Sequence, residues 1–143
     1  MRSIFFFAFV LAASATVRGA LADPIMECGV LAGDNIAVDD CLRTQLDISY
    51  RAMIEAQELA RGAAGQLDKQ TGTEVAVLGL EASQQAWEAY RDVECQTVGA
   101  FAGEAAPAET AQLACEIRLT RARTDALLRL TSQAAEPTHR ANP

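Results

Sequence analysis

Four cysteines constrain the fold of this chain more than any other feature, and they lie 13, 54 and 20 residues apart at Cys28, Cys41, Cys95 and Cys115. In an oxidising compartment an even number of cysteines predicts two disulfides, with three possible connectivities. Zinc sites use closely spaced pairs such as C-x-x-C. The chain has no such pair and a single histidine, His139 near its end. We therefore expect no bound metal, no cofactor and no histidine-based catalytic site.

The N-terminal segment predicts export. Arg2 is followed by an apolar run over residues 4–13, which is shorter than the roughly 20 residues of a membrane span. Ala20-Leu21-Ala22 fits a small-x-small cleavage pattern, so we expect a signal peptide over residues 1–22. Cys28 follows Ile-Met-Glu, which does not fit a lipid-attachment site. A soluble periplasmic or secreted protein is the expected product.

Length and charge limit the function classes. The 143 residues make one domain and hold 19 acidic against 12 basic side chains. Removing residues 1–22 takes away two arginines and no acid, which leaves ten basic residues, 19 acidic ones and a charge of -9. Nucleic-acid binders need clustered Lys and Arg, so we expect no nucleic-acid partner. No later stretch is apolar enough to span a membrane.

Helical periodicity predicts a first helix that begins near Asp34 or Asp39, either of which is a suitable N-cap. Its apolar face comprises Val38, Leu42, Leu46, Tyr50, Met53, Gln57, Ala60 and Ala64. Gly62 and Gly65 weaken the end of this helix, residues 68–72 form a turn, and Thr73 is a possible N-cap for the next helix.

Two further helices are expected. The second extends to about Phe101, and its predicted core face comprises Val75, Leu78, Ala82, Ala86, Ala89 and Val93, widened by Leu80, Trp87 and Tyr90. A loop over residues 102–108 precedes a third helix from about Glu109 to Gln133. Its predicted face comprises Leu113, Ile117, Thr120, Thr124 and Leu127, with Leu128 and Leu130 nearby. Residues 135–143 are predicted to be a flexible tail.

The chain is thus predicted to be all-α, a three-helix antiparallel bundle over residues 23–134 with two disulfides. Cys95 lies about two turns before the 102–108 loop and Cys115 about two turns after it. Antiparallel helices place these positions level, which favours Cys95–Cys115 and leaves Cys28–Cys41. Each such bridge stabilises by roughly 3 kcal/mol in the chain-entropy model.

The segment from Gln84 to Cys95 has the most distinctive composition. Trp87 can lie beneath the guanidinium of Arg91, which can also reach Glu88 or Glu94 one turn away. An aromatic-plus-arginine surface of this kind could bind a ligand. We favour the alternative interpretation, in which Trp87 anchors the core and Arg91 is a partly buried, paired charge.

These motifs together resemble the LprI-type lysozyme inhibitor domain family, a family of small exported helical proteins that contain cysteines. The resemblance covers about residues 28–130. It rests on the cysteines and on these motif positions: Leu46, Asp47, Tyr50, Gln84, Trp87, Arg91, Asp92, Thr120, Arg123 and Leu127. It implies a helical fold and a non-catalytic protein that inhibits lysozyme.

We therefore expect a stoichiometric binder of lysozyme or another cationic envelope protein, since a strongly acidic chain complements a basic partner. The predicted contact residues are the acidic side chains Asp34, Asp39, Asp40, Glu104 and Glu109. The alternative is a structural or interaction module of the cell envelope with an unknown partner.

An enzyme is disfavoured, and no catalytic residue is expected. Glu88, Asp92 and Glu94 are neighbours in sequence but point around one helix, and a small bundle offers little concave volume. The last helix also carries a cluster of arginines, which we expect to pair with the acidic helices beside it: Arg118, Arg121, Arg123 and Arg129. Arg123 is expected to be internal.

Overall fold

Four helices form the fold in a computed structural model that describes residues 23–31, 35–104 and 107–135. They are α1 (Pro24–Leu31), α2 (Asn35–Thr71), α3 (Val75–Phe101) and α4 (Ala108–Ala135). The predicted signal peptide, Asp34 and the tail beyond residue 135 lie outside the described residues. The all-helical prediction is confirmed for the described part of the chain.

The expected three-helix bundle is wrong by one element, since the segment around Cys28 is the short helix α1. Asp23 begins it, because its Oδ1 accepts a hydrogen bond from the backbone N–H of Ile25 at 3.0 Å. Pro24 suits a first helical position, where no backbone N–H is required. Eight residues are too few to show a helical period, which is why the pattern did not reveal this helix.

Contacts between side chains define the direction of the three long helices. Thr110 donates to Asp39 at 2.7 Å, and Arg121 donates to Gln45 at 3.2 Å, so α2 and α4 run parallel. Arg91 on α3 instead reaches back to Tyr50 on α2. Further along, Gln84 contacts Met53 on α2 and Arg123 on α4, while Cys95 is bridged to Cys115. Helix α3 therefore runs antiparallel to both α2 and α4.

The core consists of two clusters, one in each half of the bundle. The larger cluster joins α2, α3 and α4 through Met53, Ala56, Ala60, Ala64, Leu80 and Leu127. The smaller cluster joins α1, α2 and α4 through Cys28, Leu42, Leu113 and Ile117. The predicted faces of α2 and α4 are confirmed by these clusters, although Leu128 and Leu130 are a little under half exposed. Because alanine buries little area, the disulfides matter to this thin core.

The predicted core face of α3 is wrong for its main row of residues. Leu80 and Trp87, which were expected to widen that face, do belong to the core, since Leu80 is buried and Trp87 packs against the larger cluster. Tyr90 is exposed. Leu80, Gln84, Cys95 and Gly99 are the buried residues of this helix. The six residues expected inside are exposed or lie at the surface: Val75, Leu78, Ala82, Ala86, Ala89 and Val93. The buried face holds polar side chains with partners inside the bundle, so counting apolar residues selected the opposite side of the helix.

The turn between α2 and α3 also differs from expectation. Helix α2 continues through Gly62 and Gly65 to Thr71, and Gly72 turns the chain with φ at 70°. The side chain of Asp68 then accepts hydrogen bonds from the backbone N–H groups of Ala76 and Val77, both at 2.9 Å. Asp68 thus caps the free backbone N–H groups at the start of α3. Thr73 was the predicted N-cap, but its hydroxyl donates a hydrogen bond to Asp68 instead.

The α3–α4 hairpin depends on a close approach near its end. A Cβ atom built on Gly99 would lie 2.9 Å from the carbonyl oxygen of Ala108. Gly103 then turns the chain with φ at 59°. Both favoured disulfides are formed, Cys28–Cys41 between α1 and α2 and Cys95–Cys115 between α3 and α4.

Candidate functional site: the Trp87 cluster and the acidic end

The family-motif residues of α2 and α3 meet around one arginine. The guanidinium carbon of Arg91 lies 5.1 Å from the ring centre of Trp87 and 5.3 Å from that of Tyr50. Its Nη1 also donates to the Tyr50 hydroxyl at 3.0 Å. The predicted cation–π contact is therefore confirmed, and it extends to a second ring on the neighbouring helix.

Arg91 is well enclosed, with 12% of its side chain exposed. Its carboxylate partner is Asp92, which accepts from Nε at 2.9 Å and from Nη2 at 2.6 Å. The expected partners Glu88 and Glu94 were the wrong choice. Burial lowers the pKa of Arg91, but hydrogen bonds to Tyr50 and Asp92 outweigh it, so the pKa is raised. Arg91 therefore remains a fixed cation inside the bundle.

A second arginine reaches the same tryptophan from α4. The guanidinium carbon of Arg123 lies 5.9 Å from the Trp87 ring centre. Its Nε donates to Gln84 Oε1 at 2.9 Å, and its Nη2 donates to Ser83 at 3.1 Å. Burial lowers the pKa of Arg123, and the nearby charge of Glu88 opposes this shift. Arg123 is half-buried, and so only partly internal as expected.

Gln84 connects Arg123 to the core. It is almost fully buried, and its amide nitrogen donates to Glu88 at 3.1 Å and contacts the Met53 sulfur at 3.8 Å. Ser83 was not predicted as a site residue. It is exposed, and the only sequence signal that points to it is its position next to Gln84. We call Tyr50, Gln84, Trp87, Arg91 and Arg123 the Trp87 cluster. Its side chains satisfy one another, which supports the interpretation as an anchor of helix register.

The other motif residues lie around this cluster. Leu127 is fully buried in the larger core, and Leu46 packs against the smaller one. Asp92 is largely exposed beside Arg91. Two of the three carboxylates considered for catalysis are engaged within the chain, Glu88 by Gln84 and Asp92 by Arg91.

The predicted contact acids lie where α2 and α4 begin, which we call the acidic end. Asp39 is half-buried inside α2, so it is not the N-cap of that helix, and it accepts from Thr110. Glu109 forms an ion pair with Arg43. Asp40 and Glu104 are exposed. The helix contacts thus bring the described members of the set to one end of the bundle.

The arginines of α4 have different surroundings. Arg121 pairs with both carboxylate oxygens of Glu27 at 2.9 and 3.0 Å, which fastens α1 to α4. Such a bidentate pair is the geometry that Arg prefers with a carboxylate. Arg118 and Arg129 are exposed. The expected pairing with acidic neighbours is therefore observed for Arg121.

The sequence matches a known family over most of its length. The family described as "Lysozyme inhibitor LprI" matches residues 32–127, which extend from the start of α2 into the last turns of α4. The chain belongs to the LprI family. The match contains the whole Trp87 cluster and the Cys95–Cys115 bridge, whereas Cys28 in α1 precedes it. No curated protein and no solved structure matches the chain significantly.

Membership in the LprI family places the chain in a family of inhibitors. Among the described helices, none is sufficiently long and apolar to traverse a bilayer.

Proposed function

We propose that this LprI-family chain is an exported, non-catalytic inhibitor that binds a cationic muramidase in a one-to-one complex. The observation that carries the proposal is the family match over residues 32–127. The excess of 19 acidic over 12 basic residues supports it, because complementary charge speeds association with a basic partner.

The acidic end is the proposed contact surface. Asp40 and Glu104 are exposed there, while Asp39 and Glu109 are held by Thr110 and Arg43. Asp34 belongs to the proposed surface by its place in the sequence, just before α2 begins. The Cys28–Cys41 and Cys95–Cys115 bridges hold the helices that carry these acids. A rigid surface loses little conformational entropy when it binds, which favours affinity.

Export is part of the proposal, because disulfides form and persist outside the reducing cytoplasm. Residues 1–22 would direct the chain to the periplasm or the medium and be removed before Asp23. The predicted cleavage is tested by expressing the full chain in a bacterial host and sequencing the N-terminus of the periplasmic product. The expected N-terminus is Asp23, and retention of Met1 on the product would contradict it.

The inhibition itself is tested by titrating the oxidised, exported chain into animal-type lysozyme while cell-wall lysis is followed. We expect saturable inhibition near equimolar ratio that weakens as salt is added, because salt screens attraction between exposed charges. Absence of inhibition by a folded chain with both bridges would overturn the proposal.

A pair of matched variants locates the surface. Asp40→Lys combined with Glu104→Lys reverses two exposed charges at the acidic end. Glu55→Lys combined with Glu58→Lys makes the same charge change on an exposed part of α2. The first variant should lose inhibition about tenfold or more, since reversed charges face the cationic partner. An equal loss in both variants would show that net charge acts, and not this surface.

A second candidate function is a structural module of the cell envelope. The observation that favours it is the exposed apolar side of α3, which carries Leu78 and Val93 at 60% and 66% exposure. A folded chain that neither binds nor inhibits lysozyme would favour this candidate over the inhibitor.

A further inference from the structure

Helices α2 and α4 form a groove, and α1 lies in the first part of it. Cys28 of α1 is bridged to Cys41 of α2, and Glu27 of α1 is paired with Arg121 of α4. Arg121 also donates a hydrogen bond to Gln45 of α2. Helix α1 therefore contacts both walls of the groove, which shows that the space between α2 and α4 accepts a helix.

The groove continues beyond α1, where no described helix covers it. An open cavity of about 230 Å³ shares Gln45 and Arg121 with the α1 contact. Its further lining residues are Ile48, Ser49, Ala52, Thr124 and Asp125. A second open cavity, of about 330 Å³, follows along the same two helices and is lined by Leu59 of α2 and Thr131 of α4. We call these two cavities together the lower groove.

The two cavities lie on one side of the α2–α4 pair. Their lining residues repeat every seven positions, at Gln45, Ala52, Leu59 and Gln66 on α2 and at Thr124 and Thr131 on α4. A seven-residue repeat keeps positions on the same side of two packed helices. The floor of the lower groove is partly apolar, since Ile48 is 49% and Leu59 is 57% exposed.

The charges on the walls of the lower groove are mainly acidic. Glu58 and Asp125 line the cavities, and neither forms an ion pair within the described part of the chain. Glu55 is exposed on the same helix as Glu58. Arg121 lines the first cavity, but its charge is paired with Glu27. The walls therefore complement a cationic partner and repel an acidic one.

We propose that the lower groove binds a cationic amphipathic helix of a partner protein. Apolar residues of that helix, spaced three and four positions apart, pack on Ile48, Ala52 and Leu59, as in other helix-in-groove complexes. Its lysines or arginines face Glu58 and Asp125. This inference is independent of the proposed lysozyme binding, because the acidic end lies where α2 and α4 begin and the lower groove lies further along both helices.

The size of the lower groove predicts the strength of binding. At 1.5 Å per residue, the distance from Gln45 to Gln66 is about 30 Å, which accommodates a helix of about 20 residues. A helix about 10 Å wide with half of its circumference in the groove buries roughly 500 Å². Counting both partners, the contact is about 1,000 Å², the size of a transient interface. We therefore expect a dissociation constant in the micromolar range.

Fluorescence anisotropy of a labelled peptide with the oxidised, exported chain tests the proposal. The probe is a synthetic helix of about 20 residues, built from Leu, Ala and Lys, with Leu on one side. A peptide of the same composition in scrambled order is the control. We expect micromolar binding of the probe and about tenfold weaker binding of the scrambled peptide. A wild-type chain that does not bind the probe, or that binds both peptides equally, would overturn the proposal.

A matched pair of substitutions locates the site. Leu59 in the lower groove and Leu78 on α3 are similarly exposed, at 57% and 60%. Leu59→Arg places a cation on the floor of the groove and should weaken probe binding about tenfold or more, since like charges repel. Leu78→Arg makes the same change in net charge and should have a much smaller effect. Equal effects of the two variants would overturn the assignment to the groove.

Charge reversal separates the lower groove from the acidic end. Glu55→Lys combined with Glu58→Lys should weaken probe binding and leave lysozyme inhibition unchanged, whereas Asp40→Lys combined with Glu104→Lys should do the opposite. Equal loss of probe binding in both double variants would overturn the groove as the site. A chain that binds the probe without inhibiting lysozyme would contradict the proposed function alone.

Sedimentation equilibrium of the chain without peptide tests a second copy as the occupant. We expect a monomer in the micromolar range. A wild-type dimer that Leu59→Arg dissociates would assign the lower groove to a second copy and overturn the proposed partner. Thermal unfolding of each variant confirms that the bundle itself is intact.

Discussion

The two faces of α3 show how this bundle selects its interior. The outer face has the more regular apolar spacing, yet Val75 and Val93 are exposed. The inner face carries Gln84, Trp87 and Arg91, whose polar groups find partners on α2 and α4. Burial of a polar group is tolerated when its hydrogen bonds are satisfied. The orientation of α3 is therefore set by hydrogen bonds to polar partners and by close approach of the backbone, and not by the number of apolar residues on each face.

The largest expected effect separates Trp87 and Tyr90, two aromatic residues of α3. Trp87→Ala should destabilise the fold by about 3 kcal/mol, because it removes a large ring from the core and two cation–π contacts. Tyr90→Ala on the exposed side should change stability by less than about 0.5 kcal/mol. Urea unfolding followed by far-UV circular dichroism measures both. Equal losses of stability in the two variants would contradict the distinction between the inner and outer faces of α3.

A smaller effect concerns the buried amide of Gln84. Arg123→Leu leaves Gln84 Oε1 without its guanidinium donor, and an unsatisfied buried group costs about 2 kcal/mol. Arg118→Leu removes an exposed arginine from the same helix and should cost less than about 0.5 kcal/mol. The same urea unfolding experiment applies. If Arg123→Leu had wild-type stability, the hydrogen bond between Arg123 and Gln84 would not be what keeps the inner face of α3 against the bundle.

Glycine substitutions test the close approach of the backbone. Gly99→Ala places a Cβ 2.9 Å from the Ala108 carbonyl oxygen and should destabilise by about 1 kcal/mol, the overpacking cost outweighing the gain in helix propensity. Gly62→Ala meets open space on α2 and should stabilise by roughly 0.5 kcal/mol. Opposite signs in thermal unfolding support the account, and stabilisation by both variants would contradict it.

The smallest effect depends on pH at the start of α3. Hydrogen bonds from Val77, Ala76 and Thr73 hold the pKa of Asp68 below its usual value despite burial. A lowered pKa in the folded state stabilises above the unfolded value of about 3.9 and loses this contribution as pH falls. Asp68→Asn should therefore lower the Tm at pH 7, and the difference should shrink in acid.

The control for this prediction is Asp125→Asn, at an exposed position of α4. It should change the Tm little at either pH. A Tm deficit of Asp68→Asn that persists unchanged in acid would show that the charge of Asp68 does not cap the helix.

Much of the fold could be predicted because α2 and α4 have one apolar face each. Buried residues lie on both faces, for example Leu42 on α2 and Leu127 on α4. The hairpin geometry also predicted the Cys95–Cys115 pairing. The α1 helix was missed because it is shorter than a readable period. The inner face of α3 was predicted only at Leu80 and Trp87. The rest was missed because its polar residues depend on Tyr50 and Arg123, which are distant in sequence.

The candidate site was predictable to a different degree. The contact between Trp87 and Arg91 follows from their spacing on one helix. The capping role of Asp68 did not follow, because it acts across a turn on a helix that begins seven residues later. The acidic residues of two helices lie at one end of the bundle because α2 and α4 pack in parallel. The positions of these residues in the sequence do not by themselves reveal this packing.

The most direct test of the central claim is isothermal titration calorimetry of the oxidised, exported chain with animal-type lysozyme at low and high salt. We expect one lysozyme bound per chain, with an affinity that falls as salt rises. Absence of binding at both salt concentrations, by a folded chain with Cys28–Cys41 and Cys95–Cys115 intact, would contradict the proposal that this LprI-family member binds and inhibits lysozyme.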